Sequence, residues 1–243
     1  LPDEKTFTGQ VLGVDRNSDL AILRIPEQGL PPPLTLEQGR TLIETQRIYI
    51  CGFPFGSQLG KNITVTPSSI TSLRPKEIQV AEGMNPGNSG GPVVNTAGNV
   101  IGVSVAGIKG TGINFAIPAE QVHMVMEGRV SDANVGHAYM NGAQSYLPVQ
   151  YTCIDPLRRI RTLRVEIWAG PPGPDRPGSV QQPAPIPGDG AKQVHNVNVQ
   201  NNVGKTDVPL PPLAPGQVYW VRPLLTTSRG DHWGTATATS SAA

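Results

Sequence analysis

The residues best suited to chemistry lie in the string NPGNSGGP, which occupies residues 85–92. Ser89 lies between Gly87 and Gly90 in this string, and glycine lets the backbone turn sharply at little steric cost. Such a turn can project a hydroxyl and aim successive N–H groups at one point. Acyl transfer needs this combination, a nucleophilic oxygen beside donors that hold the developing oxyanion. A bare Gly-x-Ser-Gly turn would be typical of a plain strand connection, whereas the longer string favours a nucleophilic Ser89.

Further strings surround this one in a definite order. They are SDLAIL at 18–23, GFPFG at 52–56, ITSL at 70–73, VVNTAGNVIG at 93–102 and GINFAIP at 112–118. Together with NPGNSGGP they resemble the HtrA/Deg branch of the trypsin-like serine proteases. The resemblance covers roughly residues 7–130, in order and with similar spacing.

The resemblance implies a role for each matching residue. Ser89 would attack the scissile carbonyl, and the backbone N–H groups of Gly87 and Ser89 would form the oxyanion hole. Asp19 would orient the triad histidine and stabilise its imidazolium form. Without the resemblance, an aspartate before an apolar strand is usually a turn residue. The catalytic interpretation of Asp19 rests on its position before Ser89, in the order His, Asp, Ser that this fold uses.

The resemblance also implies a substrate pocket that includes Gly83, Met84, Val105 and Gly107. Gly83 occupies the position where a protease that cuts after Lys or Arg would carry an acid. We therefore expect an apolar pocket for small or medium aliphatic side chains. Glu82 departs from the small residue expected beside it. We expect its carboxylate to point into solvent, because an inward carboxylate would favour cationic substrates instead.

The triad histidine is missing, because no histidine precedes Asp19. Four histidines occur later, and we expect each on the surface or in a loop: His123, His137, His195 and His232. Two explanations stay open. In one, the N-terminal strands of the barrel, with the histidine, lie outside residues 1–243, as the strand-like opening suggests. In the other, the protein has lost its general base and kept the fold as a scaffold. A serine without its base is a poor nucleophile, so we expect this chain to be inactive.

Short apolar runs rich in Val, Ile and Thr, separated by abundant glycine and proline, predict an all-β protein. Strands are expected at 7–14, 20–25, 47–51, 63–73, 77–81, 93–95, 100–106 and 112–117. One helix is expected after Pro118, and Gly128 would end it. The resemblance then implies an incomplete chymotrypsin-like double β-barrel over residues 1–130, without the strands that carry the histidine.

A second β-domain is predicted at residues 145–243, after a polar, Gly- and Asn-rich linker at 131–144. Residues 170–190 are rich in proline and glycine and should form a long extended loop. The string LAPGQVYWV at 213–221 resembles the L-x-P-G-x-x-Y-x-V signature of fibronectin type III domains. That resemblance implies a structural role for Tyr219 at a corner of a fibronectin-like or Ig-like sandwich, with another small β-domain as the alternative.

Composition excludes several other functions. A net charge of +1 with 15% charged residues gives no broad field for nucleic acid or an anionic membrane. No apolar run reaches the roughly 18 residues of a membrane-spanning helix. Cys51 and Cys153 are read as small apolar residues rather than as a disulfide, and no metal-ligand spacing or cofactor motif occurs.

The sequence thus predicts a serine endopeptidase of HtrA/Deg type that cleaves polypeptides through an acyl-enzyme. A catalytically dead protease fold that serves as a binding or scaffold module is the alternative. A third interpretation makes the β-sandwich the functional part, as an adhesion or substrate-recruiting module. By resemblance, the setting is the bacterial periplasm, the cell surface or the extracellular space. Because proteins of this family often trimerise, the full-length protein is a candidate homotrimer.

Overall fold

A computed structural model describes residues 7–26, 30–37, 42–54, 62–108, 113–179 and 182–239. The chain divides into two compact units, one of Leu1–Val11 with Ser18–Met124 and one of Leu12–Asn17 with Val125–Ala243. Strands dominate both units, and one α-helix occurs in the described residues. The predicted all-β class is therefore confirmed.

The chain opens with β1 (Gln10–Asp15) and β2 (Leu20–Arg24), which form a two-stranded sheet. Six antiparallel strands then close into a barrel in the order β3-β4-β5-β8-β7-β6. They are β3 (Arg47–Gly52), β4 (Thr64–Arg74), β5 (Glu77–Val80), β6 (Pro92–Asn95), β7 (Val100–Ile108) and β8 (Ile113–Pro118). The closed six-stranded barrel is consistent with the predicted chymotrypsin-like fold.

The barrel core follows from the alternation of side chains along each strand. In β3, Ile48 and Ile50 are fully buried, whereas Tyr49 between them is only half-buried. Ile78 and Val93 from other strands complete the same core. Full burial of such a side chain contributes about 1.5–3 kcal/mol, so the barrel is a stable support for the loops at its ends.

A single helix follows the barrel at the predicted place. The helix α1 spans Ala119–Glu127 and begins directly after Pro118, a residue that favours helix starts. Gly128 ends it with a φ of 96°, which glycine adopts without steric cost.

The second unit contains one nine-stranded antiparallel sheet in the order β10-β11-β14-β13-β12-β15-β16, with β9 on β11 and β17 on β15. Its strands are β9 (Arg129–Val135), β10 (Tyr139–Asn141), β11 (Gln144–Ile154), β12 (Ile160–Gly170), β13 (Gln193–Gln200), β14 (Val203–Pro209), β15 (Val218–Thr227), β16 (Gly230–Trp233) and β17 (Thr237–Thr239). Tyr151 of β11 shares one core with Val165 of β12 and Val221 of β15, although β11 is not a neighbour of β12 or β15. The sheet therefore folds over into two facing layers.

Two expectations are not met. Residues 131–144 do not form a linker, because they contain most of β9 and all of β10, and both strands pair with β11. Their polar composition reflects an edge position, where one side of a strand faces water. His195 and His232 are not in loops or fully exposed, since they lie half-buried on β13 and β16.

Candidate active site

Ser89 lies in the loop that joins β5 to β6, at one end of the barrel. It is exposed in a tight turn, whereas the neighbouring Asn88 is buried. Gly87 and Gly90 have φ angles of 100° and 82°, a region that other residues enter only at a cost. The glycines around Ser89 are therefore required by the backbone of the turn, as the string predicted.

The Ser89 turn is bound to β7 by Ser104, which is fully buried. The N–H of Gly90 donates to the carbonyl oxygen of Ser104 at 2.8 Å, and the N–H of Ser104 donates to that of Gly91 at 2.9 Å. The hydroxyl of Ser104 donates to the carbonyl oxygen of Asn88 and lies 3.0 Å from that of Gly91. Sequence reasoning missed Ser104, and its only signal was a hydroxyl inside an otherwise apolar strand.

These contacts determine which way the peptide groups of the turn face. The carbonyl oxygen of Asn88 accepts from Ser104 and also from the N–H of Gly91 at 2.9 Å. A trans peptide holds its C=O and N–H on opposite sides, so the N–H of Ser89 points away from β7. Within the part of the chain that the structure describes, neither this N–H nor that of Gly87 donates a hydrogen bond.

The turn also packs closely against the end of β3. A Cβ on Gly52 would lie 2.5 Å from Oδ1 of Asn88, and a Cβ on Gly91 would overlap the carbonyl oxygen of Cys51. The side-chain amide of Asn88 donates to the carbonyl oxygen of Gly83 at 3.2 Å. Asn88 therefore links the Ser89 turn to the residue predicted at the base of the substrate pocket.

The predicted pocket residues lie at the same end of the barrel as Ser89. Gly83 follows β5 with a φ of 118°, and a Cβ there would come within 2.9 Å of Cγ2 of Thr66. Met84 packs against the barrel core. Val105 is half-buried and Gly107 is exposed, both on β7. This group carries no charge.

Two contacts near the pocket tie the β5–β6 loop to neighbouring strands. Nδ2 of Asn114 donates to the carbonyl oxygen of Ala81 at 2.9 Å, and the hydroxyl of Ser68 donates to that of Glu82 at 2.7 Å. Glu82 itself is exposed, in agreement with the expectation that it points into solvent. These contacts hold the start of the β5–β6 loop, and those of Ser104 hold its end at the Ser89 turn.

Asp19 ends the turn between β1 and β2 and is exposed. Its φ of 52° falls in the left-handed region, which aspartate tolerates better than most residues. Asp19 and Ser89 belong to the same compact unit. No hydrogen bond joins the two residues in the described ranges.

The four histidines lie elsewhere in the fold. His123 is half-buried on α1, and His137 is exposed between β9 and β10. Nε2 of His232 lies 3.3 Å from Oγ1 of Thr227. Burial lowers the pKa of His232 from its usual 6.5, although the charges of Glu127 and Asp231 act in the opposite direction. None of the histidines that the structure describes forms a hydrogen bond with Ser89.

The residues with described positions contain no cluster of three or more His, Cys, Asp or Glu side chains able to hold a metal ion. They also contain no helix that is both long and apolar enough to cross a membrane. Cys51 and Cys153 are free, and burial raises the pKa of Cys153 to about 11.

The family model of the trypsin-like peptidase domain matches residues 1–103. Among curated relatives, the serine protease HhoA of Synechocystis is 34% identical over 153 residues, which cover 58% of this chain and 38% of that protein. A DegP-like periplasmic serine endoprotease of Chlamydia muridarum is 32% identical over 58% of this chain and 30% of its own length. The mitochondrial serine protease HTRA2 of Drosophila willistoni is 33% identical over 64% of this chain and 38% of its own length. The chain thus spans about a third of the length of these relatives.

Proposed function

We propose that the protein containing this chain is a serine endopeptidase with Ser89 as its nucleophile. Residues 1–103 match the trypsin-like peptidase domain, and the relatives include HtrA/DegP serine proteases. The observation that carries this proposal is the glycine-bracketed turn, which leaves Ser89 exposed beside two backbone N–H groups that have no acceptor among the described residues.

The proposed reaction proceeds through an acyl-enzyme. A histidine base takes the proton of the Ser89 hydroxyl as Oγ attacks the scissile carbonyl, and the N–H groups of Gly87 and Ser89 hold the oxyanion. The C–N bond then breaks, and the imidazolium gives its proton to the leaving amine. The same histidine then takes a proton from water as the water oxygen attacks the ester, and the imidazolium returns that proton to Oγ of Ser89 as the C–O bond breaks.

We infer that the histidine base lies outside residues 1–243. The exposed carboxylate of Asp19 is free to accept a hydrogen bond from an imidazole on another segment. Val11 on β1 and Leu23 on β2 are each 60% exposed, which supports a place for further strands over this small sheet. Without the base this chain is inactive, since loss of the histidine costs on the order of a million-fold in the turnover of subtilisin.

A second candidate is a protease fold that has lost its base and acts as a scaffold. The observation in its favour is that no histidine precedes Asp19. The coding sequence upstream of residue 1 distinguishes the two, because a histidine in a strand context there supports the enzyme and its absence supports the scaffold.

The substrate pocket is proposed to take small or medium aliphatic side chains. An acidic residue is disfavoured at position 83, because the positive φ of Gly83 and the 2.9 Å approach of Thr66 both oppose a Cβ there. Met84 and Val105 would supply apolar surface, and Glu82, the residue before Gly83, is exposed.

We propose that the second unit is a fibronectin type III-like or Ig-like domain that begins with β9. The sheet segments β9-β11-β14 and β13-β12-β15-β16 have the strand arrangement of such sandwiches. The hydroxyl of Tyr219 donates to the carbonyl oxygen of Pro211 at 2.9 Å, and this contact supports the tyrosine corner of the proposal. Because relatives include a periplasmic endoprotease, we propose a periplasmic or secreted setting.

Hydrolysis of a protein substrate tests the proposed activity. Casein is incubated with the protein extended upstream to include the candidate histidine, with its Ser89→Ala variant and with residues 1–243 alone. Cleavage by the extended protein, lost in Ser89→Ala and absent from the shorter chain, supports the proposal. No cleavage by an extended protein that carries a histidine and folds would overturn it in favour of the scaffold.

A further inference from the structure

We propose that Ser104 is a positioning residue for the oxyanion hole, because its hydroxyl fixes the peptide plane that carries the Ser89 N–H. This inference deepens the proposed endopeptidase function and rests on it. Ser104 lies in the middle of β7 and has no exposed surface, so it cannot touch a substrate. Any effect on catalysis must pass through the Ser89 turn.

Ser104 makes two kinds of contact with this turn. Its backbone binds Gly90 at 2.8 Å and Gly91 at 2.9 Å, and a residue of any type other than proline could make both hydrogen bonds. Its hydroxyl makes a third contact, with the carbonyl oxygen of Asn88, that depends on the side chain. The hydroxyl is thus the part of Ser104 that a substitution can remove while the backbone contacts remain.

The carbonyl of Asn88 and the N–H of Ser89 belong to one peptide group. Because that group is planar and trans, the direction of the carbonyl sets the direction of the N–H. Ser104 and the N–H of Gly91 together hold the carbonyl toward β7. The N–H of Ser89 therefore faces the open side of the turn before any substrate binds.

Removal of the hydroxyl leaves the N–H of Gly91 as the only described donor to the Asn88 carbonyl. The peptide group can then rotate, and the Ser89 N–H spends part of its time away from the oxyanion position. An oxyanion donor acts mainly in the transition state, whereas the pocket residues bind the substrate in the ground state. The expected result is a fall in kcat with little change in KM.

The direction of the Ser89 N–H can be measured in the 243-residue chain without turnover. Residual dipolar couplings of backbone amides report this direction relative to the barrel. In Ser104→Ala we expect the coupling of Ser89 to change while those of Ile48 and Ile78 in the core do not. Ser68→Ala is the matched control, because the Ser68 hydroxyl also donates to a carbonyl of the β5–β6 loop but makes no contact with the Ser89 turn. Ser104→Thr, which retains a hydroxyl, should restore the original coupling.

An unchanged Ser89 coupling in Ser104→Ala, with the barrel amides intact, would overturn the inference. It would leave the endopeptidase proposal standing, because that proposal fails only if the extended protein cleaves nothing. If Ser104→Ala does not fold, Ser104→Cys keeps the volume with a weaker donor and allows the same comparison. In the extended protein, Ser104→Ala should lower kcat by roughly 10-fold to 100-fold, less than loss of a donor outright. A rise in KM at constant kcat would contradict the assigned role.

Discussion

The hydroxyl of Tyr219 donates a hydrogen bond to the carbonyl oxygen of Pro211 at 2.9 Å, between positions eight residues apart. Tyr151, in the same folded unit, buries its hydroxyl without a partner among the described residues. The two tyrosines therefore form a matched pair in which one hydroxyl stabilises the fold and the other does not.

Tyr219→Phe should lower the free energy of unfolding of the second unit by about 1 kcal/mol, the usual net value of a hydrogen bond. Tyr151→Phe should leave the free energy of unfolding unchanged or raise it, because it removes a buried hydroxyl whose desolvation no hydrogen bond offsets among the described residues. Urea unfolding of the 243-residue chain, followed by tryptophan fluorescence, measures both. Equal losses in the two variants would argue against the corner.

Loss of one partner from the buried pair of Glu166 and Arg222 should destabilise the second unit strongly. Each residue is 3% exposed, and Nε of Arg222 lies 2.7 Å from Oε2 of Glu166. Glu166→Leu leaves the Arg222 guanidinium over Trp168 without its anion, and we expect a cost of about 3–5 kcal/mol in unfolding free energy.

The double variant Glu166→Leu with Arg222→Met is the control for this pair. It removes both charges and retains apolar volume, so it should recover most of the lost stability. A double variant less stable than Glu166→Leu alone would contradict this account, because it would show that the unpaired Arg222 charge is not the source of the loss.

Gly91→Ala should damage the Ser89 turn far more than Gly98→Ala damages the β6–β7 turn. A Cβ on Gly91 would overlap the backbone of Cys51, whereas one on Gly98 meets only open space. Gly98 has a φ of 83°, so its substitution carries a backbone cost of about 1–2 kcal/mol. We expect a larger fall in the unfolding free energy for Gly91→Ala by calorimetry, and equal falls would contradict the packing.

His232 should make the second unit less stable in acid. Burial lowers its folded pKa below the usual 6.5, so the unfolded state binds the proton first as the pH falls. The stabilisation is present above pH 6.5 and is lost as the pH falls through the folded pKa. Urea midpoints between pH 8 and pH 5 should fall less steeply in His232→Gln than in the parent chain. A slope in His232→Gln equal to that of the parent chain would contradict the prediction.

The sequence predicted best those features that depend on local backbone chemistry. The turn at Ser89 is encoded by glycines whose positive φ angles no other residue adopts easily, and the strand at Ile48 and Ile50 is encoded by alternation. Residues 131–144 were misread because a solvated edge strand and a linker have the same polar composition. The role of Ser104 depends on a contact with Asn88, sixteen residues away, and no local pattern reports such a contact.

The rate at which a fluorophosphonate labels Ser89 tests the central claim most directly, because labelling requires both a nucleophilic serine and its base. Peptide mapping by mass spectrometry locates the label in the 243-residue chain and in the protein extended upstream to include the proposed histidine. The account predicts rapid labelling of Ser89 in the extended protein and none above the level of Ser89→Ala in the shorter chain. Rapid labelling of Ser89 in the 243-residue chain alone would contradict it.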